Sequence, residues 1–245
     1  MTDATKPPSA VQLLHDLQHS EELQHQPSAA DGLPPQMAML REWQANRLAH
    51  TYADLLADPG YRPACEFFLS DIYAPRDFSQ RDHDLERIHK FLSRVLPAAT
   101  IQLLTDTVEL NSMTNTLDNH LLQVLVDQLG VTDAVTAELY AEAYRACDNR
   151  AERVRQIDLT QSVLRQVSDG ARYLVVGVAM KMLKVPAQRA GWVEIYDFLE
   201  RGYQASRQMK DAKIFVETIA QREMGLLDLI YADDVAGFKK LAGLS

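Results

Sequence analysis

The chain has little cysteine, glycine or proline, no long apolar run and no block of basic residues, and each shortage excludes something. Its 245 residues include two cysteines, ten glycines and ten prolines. Cys65 and Cys147 lie far apart and in none of the spacings that bring thiolates to one metal, so neither a disulfide framework nor a thiolate metal centre is expected, and a reducing cytoplasm fits best. Few glycines and prolines mean few tight turns, which argues against a sheet of many short strands. No stretch approaches the ~20 apolar residues of a membrane span. The most apolar segment, 173–185, is short and carries Lys181 and Lys184, so a buried core helix is expected there. The first residues, MTDATKPPSA, lack the basic start and apolar run of a secretory signal. A formal charge of -9 would repel a phosphate backbone, so nucleic-acid binding is not expected as the main activity. No Gly-rich phosphate loop, Ser/His/Asp signature, Cys/His nucleophile motif or fixed-period repeat occurs either.

What is abundant is Leu, Ala, Gln, Glu and Arg, in a composition that is 47% hydrophobic, which predicts an all-α fold with a sizeable core. Amphipathic spacing predicts helices at 37–58, 63–71, 79–96, 100–129, 133–147, 149–167, 173–185, 186–207 and 211–231, with a short helix in the tail. Linker-like residues at 25–36 set off an earlier helix at 9–24. The expected organisation is a flexible N-terminal arm, 1–36, tethered to a single compact bundle of about ten helices over 37–245. The alternative is a division into two half-bundles near Gly170, where the pattern is interrupted. Asp211 is expected to cap the helix after it, Gly130 to end the 100–129 helix, and the NRAE at 149–152 to form a capping box.

Three regions carry candidate chemistry. In FFLSDIYAPRDFSQRD, residues 67–82, Pro75 forces a turn, Asp77 and Ser79 are candidate caps, and Asp71, Arg76 and Arg81 are read as an ion-paired brace of a corner anchored by Phe67, Phe68, Tyr73 and Phe78. Glu86 and His89 then form a Glu-x-x-His pair, the half-site of carboxylate-bridged metal bundles; a non-haem iron or manganese there would draw Glu109 and His120 as further ligands. The other such pair, Glu22 with His25, ends the arm beside Pro27, where a bundle-core site is not expected; His15, His19 and Glu22 share a face of the arm helix.

In the 100–129 helix, Leu103, Leu110, Met113, Leu117, Leu121 and Val124 form an apolar face. Thr105, Glu109, Ser112, Thr116 and His120 fall along one side of it. Buried, that side requires a polar network or a ligand; exposed, it is a solvated surface of poor helix propensity. Farther on, Tyr140, Tyr144, Arg145, Asn149, Arg150 and Arg153 cluster, either as a hydrogen-bonded cationic pocket or as a tyrosine edge over arginine ion pairs. The candidate ligand-binding set is Glu109, Ser112, His120, Tyr144 and Arg145, and the candidate metal ligands are Glu86 and His89.

The stretch at 67–82, together with ELN at 109–111, YAEAYRACDNRAER at 140–153 and FLERGY at 198–203, resembles a family of uncharacterised, all-helical bacterial proteins, over roughly residues 40–230. The resemblance implies one helical fold and a bacterial cytosolic origin, and transfers no catalytic residue. Two functions are carried forward. One is a cytosolic interaction or regulatory protein, homo-oligomeric or bound to a protein partner through the arm helix. The other is a helical-bundle enzyme or ligand-binding protein that holds a non-haem metal or small polar ligand between the 79–96 and 100–129 helices. The orientation of Glu109 and His120 separates them.

Overall fold

Pro35 stands at the first helical position, where no amide hydrogen is needed, and starts helix α1, Pro35–Thr51. The computed structural model describes residues 34–72, 98–171, 174–189 and 191–244. Tyr52, at φ -112° and ψ 23°, breaks the expected 37–58 helix, and the short α2, Ala53–Ala57, follows. Next come α3, Arg62–Phe67, which runs into a π-helical turn at Phe68–Ile72, and α4, Ala98–Gln123, extended by a second π turn at Val124–Gln128. The remaining helices are α5, Ala137–Ala146; α6, Arg150–Ala171; α7, Leu174–Arg189; α8, Val193–Gln208; α9, Ala212–Tyr231; and α10, Val235–Ala242. Ten α-helices and no strand occur among the described residues, so the fold is all-α.

Several boundaries follow from single residues. Thr136, Asp211 and Asp234 each accept a bond from the amide three residues on, at 3.2, 3.1 and 2.8 Å, and so satisfy one of the amides that a helix start leaves unpaired. Replacing Asp211 with alanine is expected to cost about 1 kcal/mol, read as a lower urea midpoint at unchanged slope. Gly130 adopts φ 67° after the second π turn, and Val131 N–H closes that turn on the Leu125 carbonyl at 2.9 Å.

Three sequence expectations are corrected. Gly170 does not interrupt its helix: α6 passes through it to Ala171, since one glycine inside a helix costs only about 1 kcal/mol, which tertiary packing readily offsets. Pro186 does not start a helix; α7 continues through it to Arg189, and the break comes at Gly191, at φ 81°. The NRAE box does not form. Asn149 is buried, and neither its Oδ1 nor its Nδ2 has a hydrogen-bond partner among the described residues, whereas Asp148 just before it takes a left-handed turn at φ 47°. The arm helix at 9–24, the 79–96 helix and the caps at Asp77 and Ser79 lie outside the described residues.

Helix α6 is central, with α4 and α9 packed along it and α7 and α8 also against it. Two hydrophobic clusters result. One joins Leu40 of α1, Leu121 of α4, Tyr140 of α5, Ile230 of α9 and Phe238 of α10. The other joins Tyr52, Leu55, Cys65, Phe215 and Val216. Helix α9 serves both clusters, and so does α1, but the buried face of α1 reads Met37, Leu40, Gln44, Arg47 and Thr51. It is therefore polar where it passes from one cluster to the other.

Candidate functional site

That polar seam has partners on four other helices. Arg47 Nη1 donates to Glu223 Oε1 of α9 at 2.6 Å, and the Tyr52 hydroxyl donates to the same oxygen at 2.7 Å. Gln44 Nε2 donates to Asp118 Oδ1 of α4 at 3.2 Å. From α6, Arg153 donates through Nη1 to Gln156 Oε1 and through Nη2 to the Leu117 carbonyl, each at 3.1 Å, while Gln156 Nε2 donates to Thr114 Oγ1 at 2.8 Å. Arg153 also stands 4.4 Å over the Tyr144 ring, and Tyr140 stacks on Trp43 at 4.0 Å between centroids.

Gln44, Arg47, Thr114, Asp118, Tyr144, Arg153, Gln156 and Glu223 are among the residues lining a cavity of about 110 Å³ at the junction of the two clusters. Leu48, Leu56, Cys65, Phe68, Phe215 and Ile219 line it as well. Gln44, Arg47, Asp118 and Arg153 are all buried, at 4, 8, 5 and 3% exposure, so their charges and dipoles lie where water does not screen them. Three buried atoms of these side chains, Gln44 Oε1, Arg47 Nε and Arg153 Nε, have no hydrogen-bond partner among the described residues. A buried polar group without a partner costs roughly 1–3 kcal/mol, so the core is less stable here than a fully satisfied or apolar one would be.

The protonation states follow from burial. Burial pushes the Asp118 carboxyl above its usual range, even though Arg153 and Gln44 pull it down. Burial alone would lower the pKa of Arg47, but the charge and hydrogen bond of Glu223, with smaller contributions from Tyr140 and Tyr52, together outweigh it and hold the guanidinium charged. Burial likewise opposes the Arg153 charge, and Tyr144 and Asp118 reverse that shift. The Tyr140 and Tyr144 hydroxyls are raised by burial and stay protonated. Because folded Asp118 binds its proton more tightly than an unfolded aspartate at ~3.9, its contribution to stability is present below that value and is lost as pH rises through the folded pKa. Relative to Asp118→Asn, the wild-type chain should therefore lose stability as pH rises above about 4, measured as the difference of urea midpoints across a pH series. A difference that does not change with pH would show that Asp118 is not perturbed.

Of the sequence candidates, the structure brings Tyr144 to the cavity and leaves most of the others outside it. Arg145 donates to the Ile230 carbonyl at 3.2 Å and pairs with Asp233 at 2.9 Å, fastening the end of α9. Glu109 accepts from Arg155 Nε at 3.1 Å, and Ser112 and His120 are exposed. Helix α6 contacts Asp106, which lies within the α4 apolar stripe, and Thr114 and Asp118 on one flank of it; it also reaches Glu109 on the other flank through Arg155, while His120 is exposed. Asp106 there accepts from Gln166 at 2.7 Å. Glu86 and His89 lie outside the described residues. Among the described residues no group of three or more His, Cys, Asp and Glu side chains could hold a metal ion.

The polar cavity-lining residues not singled out from the sequence are Gln44, Arg47, Thr114, Asp118 and Glu223; the available signal was polar residues on the buried face of α1. In the corner at 67–82, Asp71 is buried and accepts from Arg201 Nε of α8 at 2.9 Å and from the Ser70 hydroxyl at 2.8 Å. Its brace therefore includes Arg201 of the FLERGY segment, while Arg76 and Arg81 lie outside the described residues.

The class that fold and site define is an all-α protein with a largely apolar cavity among its helices that has buried charged side chains in its lining. The chain belongs to the family described as a domain of unknown function, DUF8198, whose model matches residues 23–236. No curated protein and no solved structure matches it. No helix among the described residues is long and apolar enough to cross a membrane.

Proposed function

We propose that the protein is a ligand-binding regulatory protein that takes a small polar molecule into the cavity between α1, α4, α5, α6 and α9. The observation that carries this reading is the meeting of four buried polar or charged side chains, Gln44, Arg47, Asp118 and Arg153, among the residues that line one cavity. Binding without covalent chemistry is favoured because the one thiol on that wall, Cys65, is pushed up to about 11 by burial and by the nearby Asp54 and Glu66 carboxylates, which leaves it a poor nucleophile. A bacterial, cytosolic setting is part of the proposal; it rests on the resemblance carried by residues 67–82 and on two buried, unpaired cysteines, which suit a reducing compartment. Native mass spectrometry of the untagged full chain, followed by thermal melts against a panel of small polar organic molecules, tests the reading. A bound small molecule, or a panel member that raises the melting temperature in a saturable way, is expected. No adduct and no stabilising compound in the panel would overturn it.

The interaction reading is favoured by a separate observation. Val178, Met182 and Val185, spaced for one face of α7, are 57, 47 and 51% exposed. Self-association through this face, giving a homo-oligomer, is the proposal, and light scattering of the full chain tests it. A multimeric mass that falls to one chain in Met182→Glu supports it, and a monomeric wild-type protein overturns it.

A further inference from the structure

Helices α7 and α8 form an antiparallel hairpin, and two contacts mark the seam between them. The Tyr196 hydroxyl of α8 donates to the Met180 carbonyl of α7 at 3.1 Å, and the Tyr203 hydroxyl lies against Gly177. At about 100° per residue, Val178, Met182 and Val185 turn from that seam toward one side of the hairpin, and on α8 Val193, Asp197 and Glu200 turn from it toward the same side. Apolar surface is concentrated there. Of the seven large hydrophobic residues that stand exposed among the described residues, four, Val178, Met182, Val185 and Val193, lie on this side.

The two helices also divide the charge between them. Helix α7 carries Lys181, Lys184 and Arg189, all exposed, and no acid. The first eight residues of α8, 193–200, carry Glu194, Asp197 and Glu200 and no base. Lys181, Lys184 and Asp197 have no ion-pair partner among the described residues. A surface that covers this side must therefore be apolar along its middle, acidic opposite α7 and basic opposite α8.

That requirement selects the partner. The α7 of a second copy packed on α7 would set Lys181 and Lys184 against the same lysines, and a uniformly anionic surface laid across the hairpin would be repelled by Asp197 and Glu200. The hairpin of a second copy meets the requirement when a two-fold axis lays each α7 on the other copy's α8. Such a contact is isologous, so the same apolar strip and the same charge pairs are used twice and the assembly closes at two chains.

Resting on the reading that the exposed face of α7 self-associates, we infer that the protein forms a closed dimer through this hairpin. Val178, Met182 and Val185 of each copy pack on the α8 of the other around Val193, with Lys181 and Lys184 beside Asp197 and Glu200.

Light scattering of the full chain and two charge-reversed variants tests the assignment. The wild-type chain should have the mass of two chains. Lys181→Glu/Lys184→Glu and Asp197→Lys/Glu200→Lys should each have the mass of one, with the circular dichroism of the wild type, since either change sets like charges together at both contacts. Mixed in equal amounts, the two variants should return to a mass of two, because every contact then joins opposite charges. If either variant loses its helical spectrum, oxidation of a mixture of Lys181→Cys and Asp197→Cys chains decides, and a disulfide between the two different chains is expected, Cys65 and Cys147 being buried. An Asp197→Lys/Glu200→Lys chain that stays dimeric, variants that stay monomeric when mixed, or no mixed disulfide would overturn the pairing of α7 with α8. Self-association through α7 then still stands if Met182→Glu reduces the wild-type mass to one chain. A wild-type mass above two chains overturns the closed pair, and a monomeric wild-type chain overturns both readings.

Discussion

Replacing Arg153 with methionine is expected to lower the unfolding free energy by about 3 to 5 kcal/mol, the range seen when one member of a buried ion pair is removed. The size follows from what the side chain does at once. It satisfies the Leu117 carbonyl, holds Gln156 in place for Thr114, covers the Tyr144 ring and faces the buried Asp118 carboxyl, on which it is the largest favourable charge acting. A long apolar side chain keeps the volume and loses all four. Adding Asp118→Leu to Arg153→Met should recover much of the loss, because a buried pair replaced whole is often neutral while a pair broken in half is not. Urea unfolding of the two single variants and the double variant checks this. A loss under about 1 kcal/mol for Arg153→Met would mean that the network is solvated and contributes little.

Replacing Phe238 with alanine should cost about 3 to 5 kcal/mol as well, through a different mechanism. Phe238 is 1% exposed, lies parallel to the Tyr140 ring at 6.3 Å and belongs to the cluster that seats α10 on the bundle. It also lines the cavity. The substitution therefore removes packing and enlarges the ligand space together, so the variant should be less stable yet able to admit a bulkier guest than the wild-type chain. Thermal melts with and without phenol measure both: a stabilising shift is expected in Phe238→Ala and none in the wild type. The same shift in both proteins would show that the ring does not bound the cavity.

How far the residues announced this arrangement differs by element. Amphipathic spacing locates most of the helices because a helix buries one face, and Asp211 and Gly130 mark real ends because capping and a left-handed turn are local events. Pro186 and Gly170 mislead for the converse reason: packing over a whole helix outweighs one unfavourable residue. The Tyr140 to Arg153 cluster was legible as a possible cationic pocket since its residues adjoin in sequence. Arg47, Asp118 and Glu223 were not, because each sits alone on its own helix and they meet only when α1, α4 and α9 assemble around α6. The flank of α4 that is buried was equally hidden. Periodicity shows that Glu109 and His120 lie on one side of the apolar stripe and Thr114 and Asp118 on the other, but the neighbour that covers one of them is a tertiary fact.

The most direct measurement is native mass spectrometry of the untagged full chain. A mass above that of the polypeptide by the increment of one small molecule, lost on denaturation, is the expected result. The bare polypeptide mass, with no panel compound raising the melting temperature, would contradict the cavity as a ligand site.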